Sequence, residues 1–358
     1  MNFRAIPLGR ALIGLGLFFI CGCNLDYYVH LAVGQSQMLS RRTPISTLLS
    51  NPDLADRIRN QLDLIQAVLD YAASIGLDPG DNYTTFYDTG DDPVIWGVSA
   101  SPPDRFEAFL WDFPIVGSVP YKGFFEKDLA LKEQDTLRDA GLDALVRPVN
   151  AYSTLGFFSD PILSVMLKYQ PDQLADLILH ELTHVLAYAP DHTDYNESLA
   201  TFVGRQGSML FLAQHFGPDT PLLKEAQERR VDSALFRQFM IRTVASLDSL
   251  YSSGLAREVV LQNRQSVFEQ RKRDFAHISK QFIRTNYDGF LEWPLNNAKL
   301  LSYHRYNTDL DLFSTVHQTL GNDLAQSLRF FANCAAQTEP WSCINSAIAT
   351  RENDSNSP

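Results

Sequence analysis

His180-Glu181-Leu182-Thr183-His184 is the stretch of this chain whose residue types and spacing can do chemistry. On a helix, side chains four positions apart stand one turn above each other, so the two imidazoles can reach a common metal ion. Glu181, one position on, is rotated about 100° away. It stands close to such an ion without binding it, where a general base for an activated water belongs. Leu174, Leu177, Ile178, Val185 and Leu186 are spaced to bury one face of the helix that this requires.

A catalytic zinc takes three protein ligands and leaves one position open. Asp191, His192, Asp194 and Glu197 follow within reach. Residues 189–194 read as a turn, and a second helix then opens with Asp194 as a plausible N-cap. An antiparallel return brings Glu197 back over His184, and Ala200 and Gly204 are small enough for the helices to approach closely. Glu197 is therefore the preferred third ligand. His192, a loop residue, is its rival. Asn196-Glu197-Ser198-Leu199-Ala200 also resembles the Asn-Glu-x-x-Ala signature of gluzincins, in which the glutamate binds zinc. Thr201 stands where many gluzincins carry an acid that orients a zinc histidine.

The elements around these helices read as α+β, predominantly helical. Helical spacing runs over residues 52–75 and 126–140. Strands are expected at Val94–Val98, Phe106–Trp111 and Ala144–Val149. From Asp172 onward nearly every segment is helical, so an N-terminal mixed sheet and a C-terminal helical part are expected. Late in the chain Leu261, Phe268, Phe275, Ile278 and Phe282 share one helix face, which makes Arg271-Lys272-Arg273 a solvated face. The expected organisation is a signal peptide at 1–22, a linker at 23–50 and a zincin-like catalytic region at 51–217. A helical region follows at 218–350, then a disordered tail at 351–358.

The chain has 358 residues, 45% hydrophobic and 20% charged, with a net charge of -12. That composition suits a globular protein with a sizeable core, and the acidic balance argues against nucleic acid as a partner. At the N-terminus a basic start and a short apolar run precede Ile20-Cys21-Gly22-Cys23, as in an export signal. This resembles the bacterial lipobox, which implies cleavage before Cys23 and lipid attachment there. Asn24 in place of Asp points to the periplasmic face of the outer membrane. In an exported chain, Cys334 and Cys343, nine apart, suggest a local disulfide.

Five further segments appear in order: Val119–Phe125, Ala151–Pro161, His180–His184, Asn196–Gly204 and Pro294–Ala298. With them nearly the whole mature chain resembles a bacterial family of putative aminopeptidases, gluzincin-like zinc lipoproteins. The resemblance implies one Zn2+ per chain on His180, His184 and Glu197, a peptide substrate, and membrane attachment through the lipid. It also implies a Tyr or His donor for the oxyanion. Tyr306 is the candidate, with Tyr303 and His304 as rivals. An edge strand at 152–158 could pair with substrate. Asp160 and Asp194 are conceivable partners for a substrate amine, and exo- against endopeptidase stays open. The alternative is a lipid-anchored binding or assembly factor that keeps the shape without the activity.

Overall fold

The computed structural model describes residues 25–355, apart from 91, 115, 150–153, 155–157 and 308, with side chains through residue 349. Cys23 and most of the expected edge strand at 152–158 lie outside the described residues.

The segment expected to be a linker is folded. Helix α1 spans Leu25–Ser40, followed by β1 (Thr43–Pro44) and α2 (Ile45–Leu49). Met38 enters the main core, and Tyr27 donates a hydrogen bond to the carbonyl of Gly123 at 3.0 Å. The expected helix of residues 52–75 is α3 (Asp56–Ser74), whose Leu62, Ile65, Val68 and Leu69 are buried. The chain then gives β2 (Thr85–Tyr87), β3 (Ile95–Ser101), the hairpin β4 (Trp111–Phe113) and β5 (Gly117–Val119), and β6 (Lys122–Phe124). Helix α4 (Lys127–Asp139) and β7 (Asp143–Val149) match their expected places.

One expectation about strands needs correction. Residues 106–110 are irregular, although their aromatic content suits a strand. Phe106 instead packs on Tyr251, ring centroids 5.3 Å apart. Among the described residues the expected mixed sheet is one of three small sheets. β3 lies between β6 and β7 in an antiparallel sheet, and β4 pairs only with β5. A third small sheet is mixed: β2 pairs antiparallel with β1 and parallel with β8 (Ile162–Leu163).

The rest is helical. Helix α5 (Pro171–Leu186) carries the HExxH residues and α6 (Thr193–Phe216) carries Glu197. Then come α7 (Pro221–Tyr251), α8 (Arg257–Ile278), α9 (Asn297–Arg305), α10 (Leu310–Thr319), α11 (Leu324–Ala335) and α12 (Pro340–Ser355). The tail expected to be disordered is thus helical as far as Ser355. The largest core gathers α3, α5, α6, α10 and α11. A second, aromatic core forms where α7, α8 and α9 meet, around Phe236, Phe239, Phe275 and Phe290. Arg271 pairs with Asp274 and Arg273 with Gln270, as befits a solvated face. Cys334 and Cys343 form a disulfide, Cα to Cα 5.5 Å, joining α11 to α12.

Candidate metal centre

Helix α5 begins with Pro171 at its first turn, where a missing N–H costs nothing, and with Gln173 Oε1 accepting the N–H of Gln170 at 3.2 Å. Leu174, Ala175, Ile178, Leu179 and Leu182 bury its inner face. Two arginines of α7 hold its outer face. Arg229 donates twice to Asp172, at 3.0 and 2.8 Å, and Arg230 donates to Asp176 at 2.8 Å. This fixes the rotation of the helix, and with it the direction of His180 and His184.

The return to α6 is fixed by one side chain. The Asn196 Oδ1 accepts the N–H of Ala189 at 2.8 Å, and its Nδ2 donates to the Ala189 carbonyl at 2.8 Å. An amide thus stands in for a strand partner and closes the turn. Asp191, at φ 63°, accepts the N–H of Ser118 at 2.8 Å and ties the turn to β5. Beyond the turn, α6 runs against α5. At Gly204 a Cβ would lie 2.6 Å from the Asp176 carbonyl oxygen and 3.3 Å from the His180 Cβ, so only glycine permits this approach.

The outcome is a convergence of three donor atoms. The Nε2 atoms of His180 and His184 are 3.2 Å apart, and Glu197 Oε2 lies 3.4 Å from the first and 3.6 Å from the second. Two nitrogens each 2.0–2.1 Å from one tetrahedral ion would stand about 3.3 Å apart. Glu197 Oε2 is buried and has no hydrogen-bond partner. Burial pushes the Glu197 pKa up, but the two imidazoles outweigh it and hold the carboxyl well below the usual carboxylate range. An anionic oxygen buried against two imidazole nitrogens at these spacings fits a divalent cation. This N, N, O set suits zinc.

His184 Nδ1 is buried without a hydrogen-bond partner, so the usual support behind a zinc histidine is missing here, and Thr201 does not supply it. Glu181 is buried, and burial above all pushes its pKa up to about 7, with Glu197 and Asp160 adding and His184 opposing. That is a proton acceptor poised near neutrality.

His192 is not at the centre. Its Nε2 lies 3.0 Å from the carbonyl of Thr338. The Asp160 carboxylate is engaged by Thr154, through the backbone N–H at 2.9 Å and the hydroxyl at 2.8 Å. Asp194 is exposed at the start of α6. Tyr303 points away, its ring 5.5 Å from Phe236 in the aromatic core. His304, whose pKa burial lowers, answers to the charges of Asp194 and Asp309.

Tyr306, which caps α9, is at the centre: its ring centroid is 6.1 Å from that of His180. Its hydroxyl accepts a hydrogen bond from Arg147 Nη2 at 3.1 Å. Three neighbours were not apparent from the sequence. Arg147 comes from β7, Tyr121 from the connection between β5 and β6, and Arg305 from the last position of α9. Burial first, then the Glu197 charge, pushes the Tyr121 and Tyr306 phenols up, so both stand within the field of the centre. Only Tyr121 carried a prior signal, lying inside the Val119–Phe125 segment.

A family model described as "Putative aminopeptidase" matches residues 26–340. No curated protein and no solved structure matches the chain.

Proposed function

The chain belongs to the putative aminopeptidase family, and from that premise we propose that it is a zinc-dependent peptide hydrolase with a zincin-like centre. The observation that carries this reading is the meeting of His180 Nε2, His184 Nε2 and Glu197 Oε2 around one point. A zinc ion held there supplies a Lewis acid that acidifies water and polarises a carbonyl. Glu181, the adjacent buried carboxyl, takes the proton from the attacking water and delivers it to the leaving amine. The Tyr306 oxygen receives its hydrogen bond from Arg147, so its own proton is free to meet the oxyanion. Burial keeps that phenol protonated.

The same reading includes a lipid anchor at Cys23, which sets the enzyme on the periplasmic face of the outer membrane. Among the described residues no helix is long and apolar enough to cross a membrane. Mass analysis of the mature N-terminus tests the anchor, and an unmodified Cys23 refutes it.

Metal analysis tests the centre. About one zinc per chain is expected, lost in both His180→Ala and Glu197→Ala. Glu181→Gln should keep the zinc and lose turnover by about 10²–10⁴-fold or more. Undiminished hydrolysis by Glu181→Gln, or by the metal-stripped chain, would overturn the mechanism.

A further inference from the structure

Three partly buried arginines of this fold are paired with acids: Arg229 with Asp172, Arg230 with Asp176 and Arg264 with Asp143. Half-buried Arg147 and buried Arg305, beside the candidate metal centre, differ: among the described residues no carboxylate lies within ion-pair distance of either. Arg305 is 5% exposed, and its buried Nη1 has no hydrogen-bond partner. Its guanidinium carbon sits 5.6 Å from the centre of the Tyr121 ring, and that of Arg147 sits 5.6 Å from the centre of the Tyr306 ring. Two aromatic faces thus position two cations, and a phenol accepts a bond from one of them.

Leaving a buried charge unpaired is costly, because desolvation is not recovered. The acid whose charge reaches Arg147, Glu197, is already committed to His180 and His184. A substrate amine entering here would meet two guanidinium groups and a metal cation. The acid such an amine needs is also missing, since Asp160 is bound to Thr154 and Asp194 is exposed. A planar guanidinium fork matches a carboxylate.

We infer that Arg147 and Arg305 form a carboxylate-binding subsite beside the metal centre, and that the substrate is a peptide whose C-terminal carboxylate lies next to the scissile bond. This deepens the peptidase reading and rests on it for the word substrate. It reverses the end of the peptide that the family's name suggests.

Binding, read without turnover, provides the test. The full-length, zinc-loaded Glu181→Gln protein is titrated by calorimetry with Ala-Ala-Ala, its C-terminal amide and its N-acetyl form. A fourth peptide, Ala-Ala-Glu amide, carries its carboxylate on a side chain. The free acid should bind at least about tenfold more tightly than the amide, and N-acetylation should change little. Arg305→Gln in the same background should erase the preference while thermal unfolding shows the chain still folded. Equal binding of acid and amide, or a loss on N-acetylation larger than on amidation, overturns the inference. Tight binding of the glutamyl amide alone supports the subsite and moves the carboxylate to a side chain. The two readings fail separately. A wild-type chain that hydrolyses peptides without regard to their C-terminus sinks only the subsite. One that prefers the free acid yet never cleaves it sinks only the peptidase.

Discussion

Asn196 grips the backbone of Ala189 with both ends of its amide, each bond 2.8 Å long. The residue that follows it is Glu197, the third candidate metal ligand, so the turn and the candidate site are built as one piece. Asn196→Ala leaves the Ala189 N–H buried and unpaired, and its carbonyl with only the His192 N–H at 3.2 Å. A loss of about 1–3 kcal/mol in urea unfolding is expected, with weaker zinc affinity. Unchanged zinc affinity would show that Glu197 finds its place without this clamp.

Gly204 marks the closest approach of α6 to α5. Gly204→Ala sets a methyl against Asp176 and the His180 Cβ. The helices must part, at a cost of about 1–3 kcal/mol. Because His180 moves with α5, zinc content should fall more than in a control such as Gly254→Ala, where no atom lies within 4 Å. Strain from φ +74° at Gly254 will cost that control some stability, so the readout is metal content in the folded fraction.

Tyr306→Phe removes the hydroxyl that Arg147 binds and leaves the ring beside His180. The expectation is a fall in kcat of about 10²–10³-fold with zinc retained. Tyr303→Phe should leave turnover unchanged, since that ring serves the Phe236 cluster. Equal effects of the two variants would remove Tyr306 from the reaction.

His317, packed on Phe202 of α6, reports on acid stability. Its Nδ1 lies 2.8 Å from Ser327 Oγ, its Nε2 is buried without a partner, and burial lowers its pKa against a weaker pull from Asp323. Below the ordinary histidine value, near 6.5, the unfolded chain takes up a proton that the folded chain refuses. The His317 contribution is therefore complete above that pH and is lost as pH falls towards the lowered folded value. Denaturant midpoints from pH 7 to pH 5 should drop more steeply for wild type than for His317→Asn. Parallel curves would assign the acid sensitivity to other groups.

The convergence of His180, His184 and Glu197 is legible in the sequence because it is local. HExxH lies on a periodic helix, and Glu197 follows through one short turn, so helix geometry alone brings three side chains together. The rest of the candidate site depends on contacts between segments distant in the chain. Arg147 sits where β7 pairs with β3, and nothing in its neighbourhood marks it as different from any strand arginine. Tyr306 and Arg305 arrive because Asn297, at the start of α9, donates its N–H to Asp143 at 2.7 Å and its amide to the carbonyl of Pro102 at 2.8 Å. Residues 25–40 were misread for a different reason. Only Met38 of that helix is buried, so its apolar residues show little one-sided order. The run at Phe106–Trp111 has strand composition but is spent on the Tyr251 contact and on Phe109 meeting Trp111 edge-to-face, ring centroids 4.8 Å apart.

The pinning of α9 to the strands means that this chemistry is not portable. On the proposed reading, grafting α5 and α6 onto another scaffold, or ending the chain before α7, would leave the candidate ligands without Tyr306 and Arg305, which come from the end of α9.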